Sequence, residues 1–165
     1  MIIGSYCHIP KVIFLTPDEQ KSYFEKSFRE NKFKQIIILS LNLFLKSRRD
    51  TVLFEAITNA DIVLVRGKLL YKGFKWLNKS FDMEPLTSGV MIELVRHYFP
   101  RDASFLFVGG QMEYMNRAIK NLKKSFPDIK IMGHYPAKFA FSREKEVVEI
   151  IRKTSPSFLF VGFKE

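Results

Sequence analysis

Apolar runs and polar breaks alternate along this chain in a way that sorts it into elements. Gln35 to Leu41 (QIIILSL), Asp61 to Val65 (DIVLV), Ser104 to Val108 (SFLFV) and Ser157 to Val161 (SFLFV) are short apolar runs rich in β-branched or aromatic residues. Runs of this length and kind read as strands buried on both faces, as in parallel sheets. Asp128 to Met132 reads as a further strand ending at Gly133. Helical spacing fills the intervals. Asp50 to Asn59 puts Val52, Leu53, Ala56 and Ile57 on one stripe, and Met112 to Ser125 does the same with Met115, Ala118, Ile119 and Leu122 before Pro127 ends it. Thr16-Pro17-Asp18-Glu19 forms a capping box that opens a helix to about Asn31, and Ser142 to Lys153 is another helix. Lys68 to Asn78 reads as an amphipathic helix interrupted at Gly73, Phe81 to Pro85 as a loop, and Thr87-Ser88 as the cap of a helix to about Tyr98.

Strands that alternate with crossover helices imply right-handed βαβ units. The expected fold class is therefore α/β: a Rossmann-like, mostly parallel sheet with helices on both faces, in a single domain over residues 1–165. Ligands in such sheets bind beyond the carboxyl ends of the strands, where glycines let backbone approach an anion and helix N-termini supply N–H donors. The recurrence of SFLFV at Ser104 and Ser157 reads as two similar core strands, not as a repeat unit.

Composition adds constraints. With 47% hydrophobic and 27% charged residues in 165, the chain has enough apolar surface for one core and none of the bias of disordered sequences. A single cysteine, Cys7, excludes an intramolecular disulfide and suits a reducing cytoplasm, where it reads as a buried small hydrophobe. No His or Cys spacing marks a metal site, and no cofactor is expected. No run approaches bilayer length, and MIIGSYCHIPK lacks the charged start of a signal peptide, so the sequence reads as neither secreted nor membrane-spanning. The net charge of +10 points to anionic partners: a phosphorylated metabolite, nucleic acid or an anionic membrane face. The same charge is also what a Lys-rich composition gives with no partner at all.

Candidate chemistry gathers at the strand ends. Ser40 and Asn42 follow QIIILSL, where they can reach a ligand or serve as turn and cap residues. Gly109-Gly110 after SFLFV suits a phosphate or a tight turn, but it lacks the third glycine of the dinucleotide fingerprint and the GK[ST] of a P-loop. His8, His97 and His134 have no nucleophile or carboxylate at catalytic spacing; His134 stands out because it follows Gly133. Arg66, Lys68, Lys72, Lys75 and Lys79 form either a basic face toward a membrane or phosphates, or a solvated helix face. No basic and aromatic interleaving matches an RNA-binding module, which argues against nucleic acid.

Over residues 35–165 the ordered motifs resemble the WecG/TagA/CpsF family of glycosyltransferases. Its T-x-N is Ser40-Leu41-Asn42 here, and its strand ending in D-G is Ala60 to Gly67. Its R-x-x-G-x-D-L is Leu86 to Ile92, and its strand ending in G-G is Phe105 to Gly110. Its Y-P before a strand is Phe126-Pro127 through Gly133, its G-Y-F region is Ala137-Lys138-Phe139, and its V-G is Val161-Gly162. The resemblance implies a cytoplasmic, peripheral membrane enzyme that transfers a sugar from a UDP-sugar to a polyprenyl-diphosphate-linked acceptor in cell-surface polysaccharide synthesis. It implies donor contacts at Arg66, Gly67, Gly109, Gly110, Gly133 and Lys138, with Ser40 and Asn42 as the catalytic side chains; it leaves the oligomeric state open. The departures are as informative. The family's D-G aspartate, the general base toward the acceptor hydroxyl, is Arg66, and arginine stays protonated and cannot take that proton. The arginine and aspartate of R-x-x-G-x-D-L are Leu86 and Met91, and the sequence reaches Glu165 where the resemblance leads one to expect G-x-P-K-Q-E and a membrane-targeting appendage. A divergent transferase, a catalytically inactive relative that binds a nucleotide sugar or a partner, and a basic nucleic-acid-binding protein all fit these residues.

Overall fold

The computed structural model describes residues 2–6, 9–14, 17–30, 33–77 and 89–163. Cys7, His8, the Thr16 cap, Lys79, the loop at Phe81 to Pro85, Leu86 and the Thr87-Ser88 cap lie outside them. The chain divides into two compact units, Met1–Val90 and Met91–Glu165. Each holds parallel strands flanked by helices, so the α/β class read from the hydrophobic pattern is observed. The described strands form two hydrogen-bonded sheets, one in each unit.

The first unit opens with a hairpin that the hydrophobic pattern did not reveal. Strands β1 (Ile2–Tyr6) and β2 (Ile9–Phe14) pair antiparallel, and helix α1 (Pro17–Arg29) follows. Then come β3 (Ile36–Leu39), α2 (Leu41–Ser47), α3 (Thr51–Asn59), β4 (Ile62–Val65) and α4 (Lys68–Leu77). The sheet order is β1-β2-β4-β3. β4 runs parallel to both neighbours and is buried along its whole length, as its unbroken apolar run requires. Leu39, Ile57, Val63, Val65, Leu70 and Phe74 form the core beneath α3 and α4. Asp61 ties the strand starts together: its carboxylate accepts from the Gln35 N–H at 2.8 Å and pairs with Lys34 at 3.4 Å.

Two expectations change here. The run QIIILSL is not one strand. β3 stops at Leu39, and a seven-residue helix begins two residues later. Helix α4 also passes through Gly73 without a break, because Leu70 and Phe74 are buried on its inner side and Phe74 meets Phe44 edge to face at 6.1 Å. That packing exceeds the cost of about 1 kcal/mol for a helical glycine.

The second unit begins in α5 (Val90–Tyr98) and continues with β5 (Ser104–Gly109), α6 (Met112–Ser125), β6 (Lys130–Tyr135), α7 (Ala137–Ser142), α8 (Glu144–Thr154) and β7 (Phe158–Gly162). All pairing is parallel, with β5 between β6 and β7. The two SFLFV segments are thus neighbours, paired residue on residue from Phe105–Phe158 to Val108–Val161. Their phenylalanines stack, with ring centroids 5.5 Å apart for Phe105 and Phe158 and 5.3 Å for Phe107 and Phe160. The serines close the start of the pair: the Ser104 N–H donates to Ser157 Oγ and the Ser157 N–H to Ser104 Oγ. β6 does not end at Gly133 as the pattern suggested. Phe105 pairs with Ile131 and Leu106 with Gly133, so Met132 is bulged out and the strand continues to Tyr135.

Candidate functional site

In the first unit the carboxyl ends of β3 and β4 lie side by side, and each is followed at once by a helix. Ser40 is the N-cap of α2: its backbone is extended and its Oγ accepts from the Leu43 N–H at 3.1 Å. Asn42 is exposed in the first turn of that helix. The Arg66 N–H donates to the Leu39 carbonyl at 2.9 Å, extending the β3–β4 ladder by one residue while the arginine side chain is exposed. Gly67 then turns the chain into α4 with φ of 96°, a backbone region that favours glycine, and its carbonyl accepts from the Tyr71 N–H at 3.1 Å.

These turns leave an open depression of about 250 Å³ lined by Ser40, Leu41, Asn42, Arg66, Gly67, Leu69 and Leu70. Its polar groups are a hydroxyl, a carboxamide and a guanidinium. Neither a carboxylate nor a histidine is among the lining residues. The volume is below the roughly 300–1,000 Å³ of a site that encloses a whole drug-sized ligand, and it suits one anionic portion of such a ligand. Four of the candidate residues therefore come together: Ser40, Asn42, Arg66 and Gly67. Leu69 and Leu70 were missed, although the glycine turn directly before an amphipathic helix was the signal for them.

The other candidates belong to the second unit, where packing accounts for much of their placement. Gly109 is buried at the end of β5 with φ of 119°, and a Cβ there would overlap the Gly162 carbonyl. The Gly110 N–H donates to that carbonyl at 2.9 Å, and the Gly110 carbonyl accepts from the Ala137 N–H at 2.9 Å. These bonds join the ends of β5 and β7 to the start of α7 and place the exposed Lys138 one residue beyond the junction. Gly133 sits within β6, close against the Tyr135 ring and Leu106. His134 shares a hydrogen bond of 2.9 Å with the Asn116 carboxamide oxygen. His97 lies edge to face against Tyr98 at 4.9 Å. Among the described residues no group of three or more His, Cys, Asp or Glu could hold a metal ion.

The order of these strand ends along the chain has a counterpart among known proteins. A family model described as the glycosyl transferase WecG/TagA/CpsF family matches residues 10–164. The chain belongs to the WecG/TagA/CpsF glycosyltransferase family. The match reaches upstream of residue 35, where the motif resemblance began, and takes in α1 and all of β2 but its first residue. Membership of the WecG/TagA/CpsF family points to glycosyl transfer in cell-surface polysaccharide synthesis, with a nucleotide-sugar donor and a lipid-linked acceptor in general terms. No curated protein matches the chain. Among the described residues no helix is long and apolar enough to cross a membrane.

Proposed function

We propose that this family member holds the diphosphate of a UDP-sugar in the depression lined by Ser40, Asn42, Arg66 and Gly67, and uses a polyprenyl-diphosphate-linked acceptor at the inner face of the cytoplasmic membrane. One observation carries the reading: an arginine, exposed and anchored through its backbone at the end of β4, lines a depression that no carboxylate lines. A guanidinium presents parallel N–H groups to two oxygens of a diphosphate. The Asn42 amide adds donors beside it, and Ser40, whose Oγ accepts from the Leu43 N–H, lines the same turn.

In the transfer, the acceptor hydroxyl oxygen bonds to the anomeric carbon, the bond from that carbon to the UDP oxygen breaks, and its electron pair leaves on the diphosphate. Arg66 supports the charge that develops on that leaving group. The hydroxyl proton passes to the departing diphosphate or to water, because the residue standing where the resemblance puts the family's aspartate is a cation. This same observation favours a second reading, in which the chain binds the donor and transfers nothing.

Thermal unfolding with and without UDP or a UDP-sugar at millimolar concentration tests the site, since a ligand that binds only the folded state raises its stability. The expected result is a rise in Tm that Arg66→Ala abolishes. No shift with any uridine nucleotide rejects the donor site. Sugar transfer to a polyprenyl-diphosphate acceptor by the unaltered chain supports the divergent transferase; transfer that appears only in Arg66→Asp supports a binding protein that has lost its base.

A further inference from the structure

Helix α4 continues directly from the Arg66-Gly67 turn and has two unlike sides. Leu70 and Phe74 are buried in the core. On the opposite side Leu69 is 69% and Trp76 83% exposed, seven positions apart and so on one stripe. Lys72 falls between them on that stripe, and Lys68 and Lys75 flank it; all three lysines are exposed. An exposed tryptophan and leucine gain nothing from water, and three lysines around them do not make a protein core. The combination of an aromatic and an aliphatic anchor within a cationic stripe is the makeup of a helix that lies in the plane of a bilayer surface. Lysines there keep their ammonium groups among the headgroups while their stems lie along apolar surface.

We infer that the outer face of α4 is a docking surface for an anionic lipid bilayer, with Trp76 and Leu69 entering the headgroup boundary and Lys68, Lys72 and Lys75 facing lipid phosphates. Charge complementarity selects this occupant: the chain carries a net charge of +10, and the exposed cations of this face lie beside its apolar pair. Nucleic acid would use the lysines and could stack on Trp76, but it has no use for Leu69. Leu69 also lines the depression beside Arg66, so docking brings that opening to the headgroup layer. This last consequence rests on the donor-site proposal; the docking surface itself does not.

Trp76 is the only tryptophan of the chain, so its fluorescence reports on this helix alone. The experiment titrates the full chain with vesicles of pure phosphatidylcholine and with vesicles containing phosphatidylglycerol as half of the lipid, and it repeats the titration with a DNA oligonucleotide. Expected are a blue shift and quenching by bromine-labelled lipid with the anionic vesicles only, weakened by salt. Lys72→Ala and Lys68→Ala should each weaken binding about fivefold, as one cation near an anionic surface predicts. Both positions are exposed, so the fold is retained, and unchanged circular dichroism checks this. Vesicle binding with no change in Trp76 emission overturns the proposal, as does equal binding to uncharged vesicles, or a response to DNA without one to lipid. A chain that binds vesicles but ignores UDP keeps this surface and loses the donor site; the reverse result does the opposite.

Discussion

At the end of β5, Gly109 is hemmed in by the Gly162 carbonyl, and its neighbour Gly110 is bonded both to that carbonyl and to the start of α7. At the end of β4, Gly67 has open space where a side chain would go, and the residue before it is an exposed arginine that lines a depression. Both are glycine turns after a buried parallel strand and before a helix, and in sequence they look alike. The difference is what surrounds them. A glycine required by a neighbouring strand is explained by packing, and a ligand need not be invoked for it. A glycine with room around it, beside an exposed cation and two short polar side chains, marks a place where the backbone turns to leave a surface open.

Substitutions can break or sharpen that contrast. Gly109→Ala should have the largest effect, a loss of about 3 kcal/mol or more in denaturant unfolding, because a positive φ and a steric overlap with backbone act together. If it unfolds with wild-type stability, the packing account of this turn is wrong. Gly67→Ala should cost less, about 1–2 kcal/mol, since only the backbone conformation is strained and nothing is struck. Ser40→Ala removes a helix cap and should lower stability by about 1 kcal/mol, with Ser40→Asn recovering most of it. Arg66→Ala should change stability by no more than about 0.5 kcal/mol, as for an exposed side chain away from packing, while removing the UDP-dependent rise in Tm. A large destabilisation in this last variant would show that Arg66 serves the fold, and the contrast between the two turns would collapse.

β4 and β5 were legible as buried strands because they are unbroken apolar runs flanked by breaks, whereas β7, read as a core strand from the same SFLFV run, lies at the edge of its sheet with Leu159 and Val161 exposed. The boundary between β3 and α2 was not legible, since QIIILSL runs on into LNLFL with Ser40 as the sole polar residue before Asn42, and an apolar run by itself cannot distinguish strand from helix. Pro10 and Lys11 interrupt the apolar residues of β2, which hid the hairpin. In β6, Gly133 carried the signal of a strand end, but a bulge at Met132 lets pairing continue past it. The grouping of Ser40 and Asn42 with Arg66 and Gly67 could be read from the chain because consecutive parallel strands place their ends together. The exposure of Leu69 and Trp76 could not, since it depends on which side of α4 the sheet takes.

The hydrogen bond from the Arg66 amide to Leu39 is made by backbone alone. Aspartate, asparagine or arginine can all supply that amide, and each would project from the same point on the strand edge. Residue 66 is thus a socket in which the fold holds the main chain and leaves the side chain open to substitution. An acid, an amide or a cation could stand at this position without the sheet registering the difference.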